Sequence, residues 1–237
     1  MAQGQSNIPN LLGMARTAVE AGNDEEAIAY FNRVLEADPT VSEAWWGKGL
    51  AVARLSSLKN IRLRETAVAF GHAIGTAADD EKPGIASQAA AELTKLGSTI
   101  FTNAQLHWRE FRTTDGAWST CVNAGLEVIE ALQTIQKWQP GYVPAQLEIV
   151  TICVTLLNQG VGPKLDAQCR ETLDQTVADI QVQDPEYVPP ALAAESAAAK
   201  EARAVEAKAN SDAIGYVVLF IVLIVGGIIT AMARAKG

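Results

Sequence analysis

The chain holds two histidines, His72 and His107, and neither has a carboxylate or cysteine at the spacing of a catalytic pair or metal site. Each is expected as a packing or surface residue. Cys121, Cys153 and Cys169 are odd in number and form no C-x-x-C pair. A secreted disulfide framework would show paired spacings, so three reduced, small apolar core residues in a reducing compartment are expected. The acidic run Asp79-Asp80-Glu81 lacks the ligand spacing and the glycine of a calcium loop and reads as solvated charge. His107-Trp108-Arg109 is either a surface recognition patch or a helix with Trp108 buried and its neighbours wet, and the second is expected. No G-x-G-x-x-G, P-loop, H-E-x-x-H or G-x-S-x-G occurs. The expectation is a protein that is no enzyme and needs neither cofactor nor metal.

Composition bounds the elements that position these residues. Apolar residues make up 49% of the 237, enough for a packed core, and the net charge of −8 argues against a nucleic-acid partner, because phosphate binding needs a basic surface. The N-terminal MAQGQSNIPN has neither a basic nor an apolar leader region, so no signal peptide is expected, and Gly4 stands outside a myristoylation position.

From Ile214 to Ala233 the chain reads IGYVVLFIVLIVGGIITAMA, without a charge. As a helix it spans about 30 Å, the hydrocarbon thickness of a bilayer. Tyr216 lies at its entry, Asp212 bounds one end, and Arg234 and Lys236 bound the other. This predicts one transmembrane helix over residues 213–233, followed by a short basic tail, 234–237. The helix would insert after translation as a tail anchor does, with the N-terminal domain in the cytoplasm. Gly227, Ala231 and Ala235 share one face at a spacing of four. That stripe would let two membrane helices approach and form a homo-oligomer, or it is the incidental small-residue content of a span. Before the anchor, residues 189–212 are rich in alanine and charge. They read as a solvated helical stalk or, alternatively, a disordered tether; either is a spacer.

Residues 1–188 read as paired helices. Pro9 suits the first turn of one helix and Gly22 its end, Asp24 can cap the next, Asp38-Pro39 stops it, and Ser42 is expected to cap a third. The run DEEAIAYFNRVLEADP, residues 24–39, resembles the second helix of a tetratricopeptide (TPR) repeat. Ala27 stands at the small crossing position, Phe31 beside it, and Pro39 at the turn to the next repeat. Trp45, thirty-four residues after Leu11, holds the large first-helix position, and Gly49 follows at the small one. The second copy then departs from the pattern. SSLKNIRL at 56–63 contains an insertion, and in ETAVAFGHAI Gly71 stands where an aromatic is usual. Later segments keep the punctuation: a third pair from ASQAAAELTKLGSTIFTNAQLHWREF and AWSTCVNAGLEVIEALQTIQKW, and a fourth from AQLEIVTICVTLL and KLDAQCRETLDQTVADIQV. The implied fold class is an all-α, TPR-like helical-hairpin solenoid of three to four helix pairs, followed by the stalk and the membrane helix.

The resemblance implies a concave face lined by first-helix residues. The groove residues are then Leu12, Arg16 and Glu20 from the first repeat and Trp46, Leu50 and Arg54 from the second, with Trp45 in the core. The alternative is that Trp46 packs against the insertion or a descending helix. The chaperone-tail clamp of some TPR proteins is not implied, because Leu12, Arg16 and Gly47 stand at its positions. The expected function is a membrane-anchored adaptor or scaffold that binds a protein or peptide partner, with lipid held by the C-terminal helix. The alternative is a structural subunit whose array and membrane helix pack permanently in a larger assembly.

Overall fold

Apolar residues at helical spacing, punctuated by glycine and proline, fold the chain into eight α-helices among the described residues. The computed structural model describes residues 7–192. The first hairpin is α1 (Ile8–Glu20) and α2 (Asp24–Ala37). Pro9 lies in the first turn of α1, where a missing N–H costs nothing. Gly22 closes the hairpin at φ +74°, a conformation that favours glycine. The first turn of α2 carries Asp24, Glu25 and Glu26 against the positive end of its dipole. Asp38 turns extended and ends α2, and its carboxylate accepts from the Thr40 backbone N–H at 2.9 Å and hydroxyl at 2.6 Å.

The second hairpin is α3 (Ser42–Arg54) and α4 (Leu63–Thr76), joined through a loop with an isolated bridge between Ser57 and Asn60. The third pairs the 29-residue α5 (Lys82–Glu110) with α6 (Ala117–Gln133), which a 3-10 turn, Thr134–Lys137, extends. The fourth pairs α7 (Val143–Gln159) with α8 (Pro163–Gln181). No strand occurs among the described residues, and no described helix is long and apolar enough to cross a membrane. The predicted span at 213–233, its stripe of Gly227, Ala231 and Ala235, and nearly all of the stalk lie outside the described residues.

Each helix packs on its neighbour in sequence, and two pairs also pack across one helix, α4 on α6 and α5 on α7. Two cores result. One joins α1, α2 and α3 around Leu11, Ala15, Ala27, Phe31, Val34 and Ala44. The larger joins α4 to α8 around Phe70, Leu93, Phe101, Leu132, Ile152 and Leu156. Helix α3 is the seam. Ala44 and Ala51 belong to the first core, while Trp46 and Leu50 pack on the second.

Two large side chains grip α3 where it has none. The Phe31 ring of α2 lies against Gly47, at a distance that a Cβ on Gly47 would violate. The Phe70 ring of α4 covers Gly49, where a Cβ would come within 2.6 Å of it. Gly47 therefore faces Phe31 of the first core. The aromatic of the second repeat is Phe70, not a residue at the Gly71 position. Buried Thr66 stands four residues before Phe70, as Ala27 stands four before Phe31. The expected register of α4 is thus one residue off.

Other corrections are local. Trp45 is half-buried instead of in the core, because the buried stripe of α3 consists of small residues and the ring stands at its edge. Ser42 is the first helical residue and not the cap; its hydroxyl donates to the Ala73 carbonyl at 2.8 Å, tying α3 to α4. Helix α2 begins at Asp24 itself, after Asn23.

Candidate protein-interaction faces

The predicted groove residues divide by what holds them. Arg16 on α1 is exposed, but its guanidinium is in an ion pair with Glu43 of α3. Arg54, at the end of α3, donates through Nε to Asp24 at 2.7 Å. Arg16 thus bridges α1 to α3 and Arg54 ties the end of α3 to the start of α2, and their charge is balanced within the array. Trp46 is half-buried, with its ring stacked on Phe70 at 4.8 Å between centroids. Leu50 is half-buried beside it, Leu12 packs on the first core, and Glu20 is exposed at the end of α1. The face expected to bind is therefore made of two ion-paired arginines, three side chains packed on the cores, and one solvated carboxylate.

Trp45 faces elsewhere. Its Nε1 donates to the Pro39 carbonyl at 2.8 Å, its ring stacks on His72 at 4.3 Å, and the Lys48 ammonium lies 5.5 Å from its centroid. The other histidine, His107, tilts against Phe111 at 4.8 Å. The cysteines are buried free thiols. Burial pushes the Cys121 thiol up to about 11, and a hydrogen bond with Cys169, together with burial, raises that of Cys153. Raised thiols are poor nucleophiles, so these two are packing groups.

A cleft that the sequence did not reveal lies between α4 and α6. Its volume is about 620 Å³. Val68 (53% exposed) and half-buried Trp138 give it an apolar wall, and Gly71 lies on its floor. A Cβ on Gly71 would meet Trp138 at 3.5 Å, an ordinary contact, and the absence of a longer side chain leaves the cleft open. The rim is charged, with Arg64 on α4, Glu127 and Glu130 one turn apart on α6, and Lys137 beyond. None of these four enters an ion pair among the described residues, unlike Arg16, Arg54 and Arg62. An apolar wall with unpaired charges around it is the composition of a site for a peptide side chain with charged neighbours.

The elements define an all-helical array of stacked helix pairs. No protein-family model matches the chain, and no curated protein matches its sequence. Among solved structures it is matched to the crystal structure of YrrB, a TPR protein with an unusual peptide-binding site. The two are 14% identical, with 75% of this chain and 86% of that chain covered, at a TM-score of 0.30. A likeness at that level carries no weight for the function of this chain, which has to come from its own residues.

Proposed function

We propose that this protein is a protein-interaction adaptor held at a membrane by its C-terminal segment, and that the cleft between α4 and α6 receives its partner. One observation carries the binding reading: the open apolar wall of Val68 and Trp138 is ringed by four charges that form no ion pair among the described residues. The fitting ligand is a protein segment that inserts one aliphatic or aromatic side chain against Trp138 and sets a basic residue against Glu127 and Glu130. The face of Trp46 and Leu50 is the weaker candidate, because packing on Phe70 and the second core already occupies it. The membrane part rests on the uncharged run from Ile214 to Ala233, long enough to span a bilayer as a helix and placed behind an Ala-rich spacer. In this reading the array faces the cytoplasm and the spacer expected over residues 189–212 links it to the anchor.

Gly71→Phe tests the cleft. The new ring has room at its Cβ and would fill the space beside Trp138. A photo-crosslinker at position 68 should capture a defined partner in native membranes, and Gly71→Phe should abolish that capture while the thermal midpoint stays within a few degrees. Capture that survives the filled cleft would reject this site. A partner that co-purifies at fixed stoichiometry through dilution in mild detergent would favour the permanent-subunit reading instead.

A further inference from the structure

At the opposite end of the array from the acidic tail of α8, the hairpin between α5 and α6 carries an aromatic and basic tip. Trp108 and Trp118 meet at a tilt of 53° with 4.8 Å between centroids, and the Arg112 guanidinium sits 4.9 Å from the Trp108 centroid. Leu106 and Phe111 project outward, 54% and 40% exposed. Arg109 and Arg112 are exposed on the tip, and Lys164 is exposed at the start of α8. The Trp118 Nε1 donates to the Gly160 carbonyl at 3.1 Å, which locks the turn between α7 and α8 to the same end.

Charge is distributed unevenly along the array. The tip sets Arg109, Arg112 and Lys164 against Glu110 and Asp115. Residues 171–192 contain Glu171, Asp174, Asp179, Asp184 and Glu186 and no lysine or arginine. An anionic surface therefore repels the far end of α8 and accepts the tip.

The path of the chain points the same way. Helix α8 starts at the tip end and runs away from it, and Gln183 at its far end donates to the Gly141 carbonyl at 2.9 Å. The chain then reverses. Tyr187 donates its N–H to the Asp184 carbonyl at 3.0 Å, Gln181 donates to the Tyr187 carbonyl at 3.0 Å, and residues 189–192 lie along α8 beside Leu173 and Val177. At Leu192 the chain is heading back toward the tip. From there to the start of α8 is roughly ten helical residues, or about 15 Å, and a spacer of about twenty residues covers about twice that if helical.

We infer that the α5–α6 tip contacts the surface of an anionic bilayer, with Leu106, Phe111 and the two tryptophans at the headgroup boundary and Arg109 and Arg112 on lipid phosphates. Tryptophan, exposed apolar side chains and arginine together are the composition of an interfacial contact. The direction of approach rests on the proposed C-terminal anchor. The tip would then fix the array's tilt against the membrane and so the direction in which the α4–α6 cleft opens.

The test uses the full chain reconstituted into vesicles of phosphatidylcholine and phosphatidylglycerol, with and without bromine on the upper acyl carbons. Brominated lipid should quench tryptophan emission. Quenching should disappear in the double variant Trp108→Phe/Trp118→Phe, which keeps Trp45, Trp46 and Trp138 as internal references. It should also disappear in Leu106→Ser/Phe111→Ser, whose changes are on the surface and whose circular dichroism should match the parent. Replacing phosphatidylglycerol by phosphatidylcholine should weaken it. A chain that resists alkaline washing but shows no quenching overturns the tip contact and leaves the anchor standing. Quenching in a chain that alkaline washing removes supports the tip contact and overturns the anchor. Loss of both overturns both. A benzophenone at position 111 that crosslinks to a second copy instead of lipid would assign the tip to self-association and overturn the inference.

Discussion

Phe31 shows how little separates a tight contact from a clash in this chain. Its ring is 3% exposed and lies on the bare backbone of Gly47. Glycine in a helix interior costs about 1 kcal/mol relative to alanine, so Gly47 is kept against propensity for the sake of the ring. Gly47→Ala should therefore destabilise by about 1 kcal/mol net, the overpacking term of about 1–3 kcal/mol outweighing the propensity gain. Phe31→Ala, by opening a cavity, should cost about 3–5 kcal/mol. The two should not add, because removing the ring removes the clash. Denaturant midpoints of the two single variants and the double variant check this; additive losses would mean that the ring and the glycine do not touch. The resemblance of residues 24–39 to a TPR second helix already implied Ala27 and Phe31 in the first crossing, and both are buried there. It misplaced the second crossing by one residue. In TAVAFG both Thr66 with Phe70 and Ala67 with Gly71 keep the spacing of four, and only the position of α3 decides between them.

Helix α3 shows the same limit at the scale of an element. A repeat pattern says that Trp45 and Trp46 point to different sides, but not which side is covered. In the folded chain α2 and α4 both lean on glycines of α3, so the tryptophans are displaced to the two edges of its buried stripe. Trp45 rests on His72 and hydrogen-bonds Pro39, while Trp46 stacks on Phe70 and joins the larger core. A half-buried ring at the seam of two cores should matter more for stability than a free groove residue would. Trp46→Ala should lower stability by about 2–3 kcal/mol, and Trp45→Phe, which keeps a ring but loses the indole N–H, by about 1 kcal/mol. Thermal unfolding of both variants is the check. An unchanged midpoint for Trp46→Ala would return that side chain to the concave groove. Short-range signals also explain why α5 begins at Lys82, before the apolar run at Ala86 that marks it in sequence: Pro83 fits a first turn and extends the helix over a polar stretch. The α4–α6 cleft left no such signal, because Gly71 and Trp138 lie far apart in sequence and meet only through packing of α4 on α6.

For the whole molecule, the division of labour between the array and the proposed anchor depends on where the cores stop. Both cores are built from residues 11–180, and Leu192 is the last described side chain that packs on them. The apolar run from Ile214 to Ala233 lies outside the described residues, and in the proposed reading a bilayer buries it. A twenty-residue uncharged run left in water would impose a large hydrophobic penalty, since each buried CH₂ is worth about 0.8 kcal/mol. Deleting residues 212–237 should therefore separate two properties that the intact chain combines. The truncated chain should move from the membrane pellet to the supernatant and keep the helical circular dichroism and cooperative melt of the array. The intact chain should stay with the membrane after alkaline washing. If the truncated chain still pellets, another surface holds it, and the α5–α6 tip is the first place to look; Leu106→Ser/Phe111→Ser in the truncated background should then release it. If it loses its helical signal, the array depends on the C-terminal segment for its core, and the permanent-subunit reading becomes the better one.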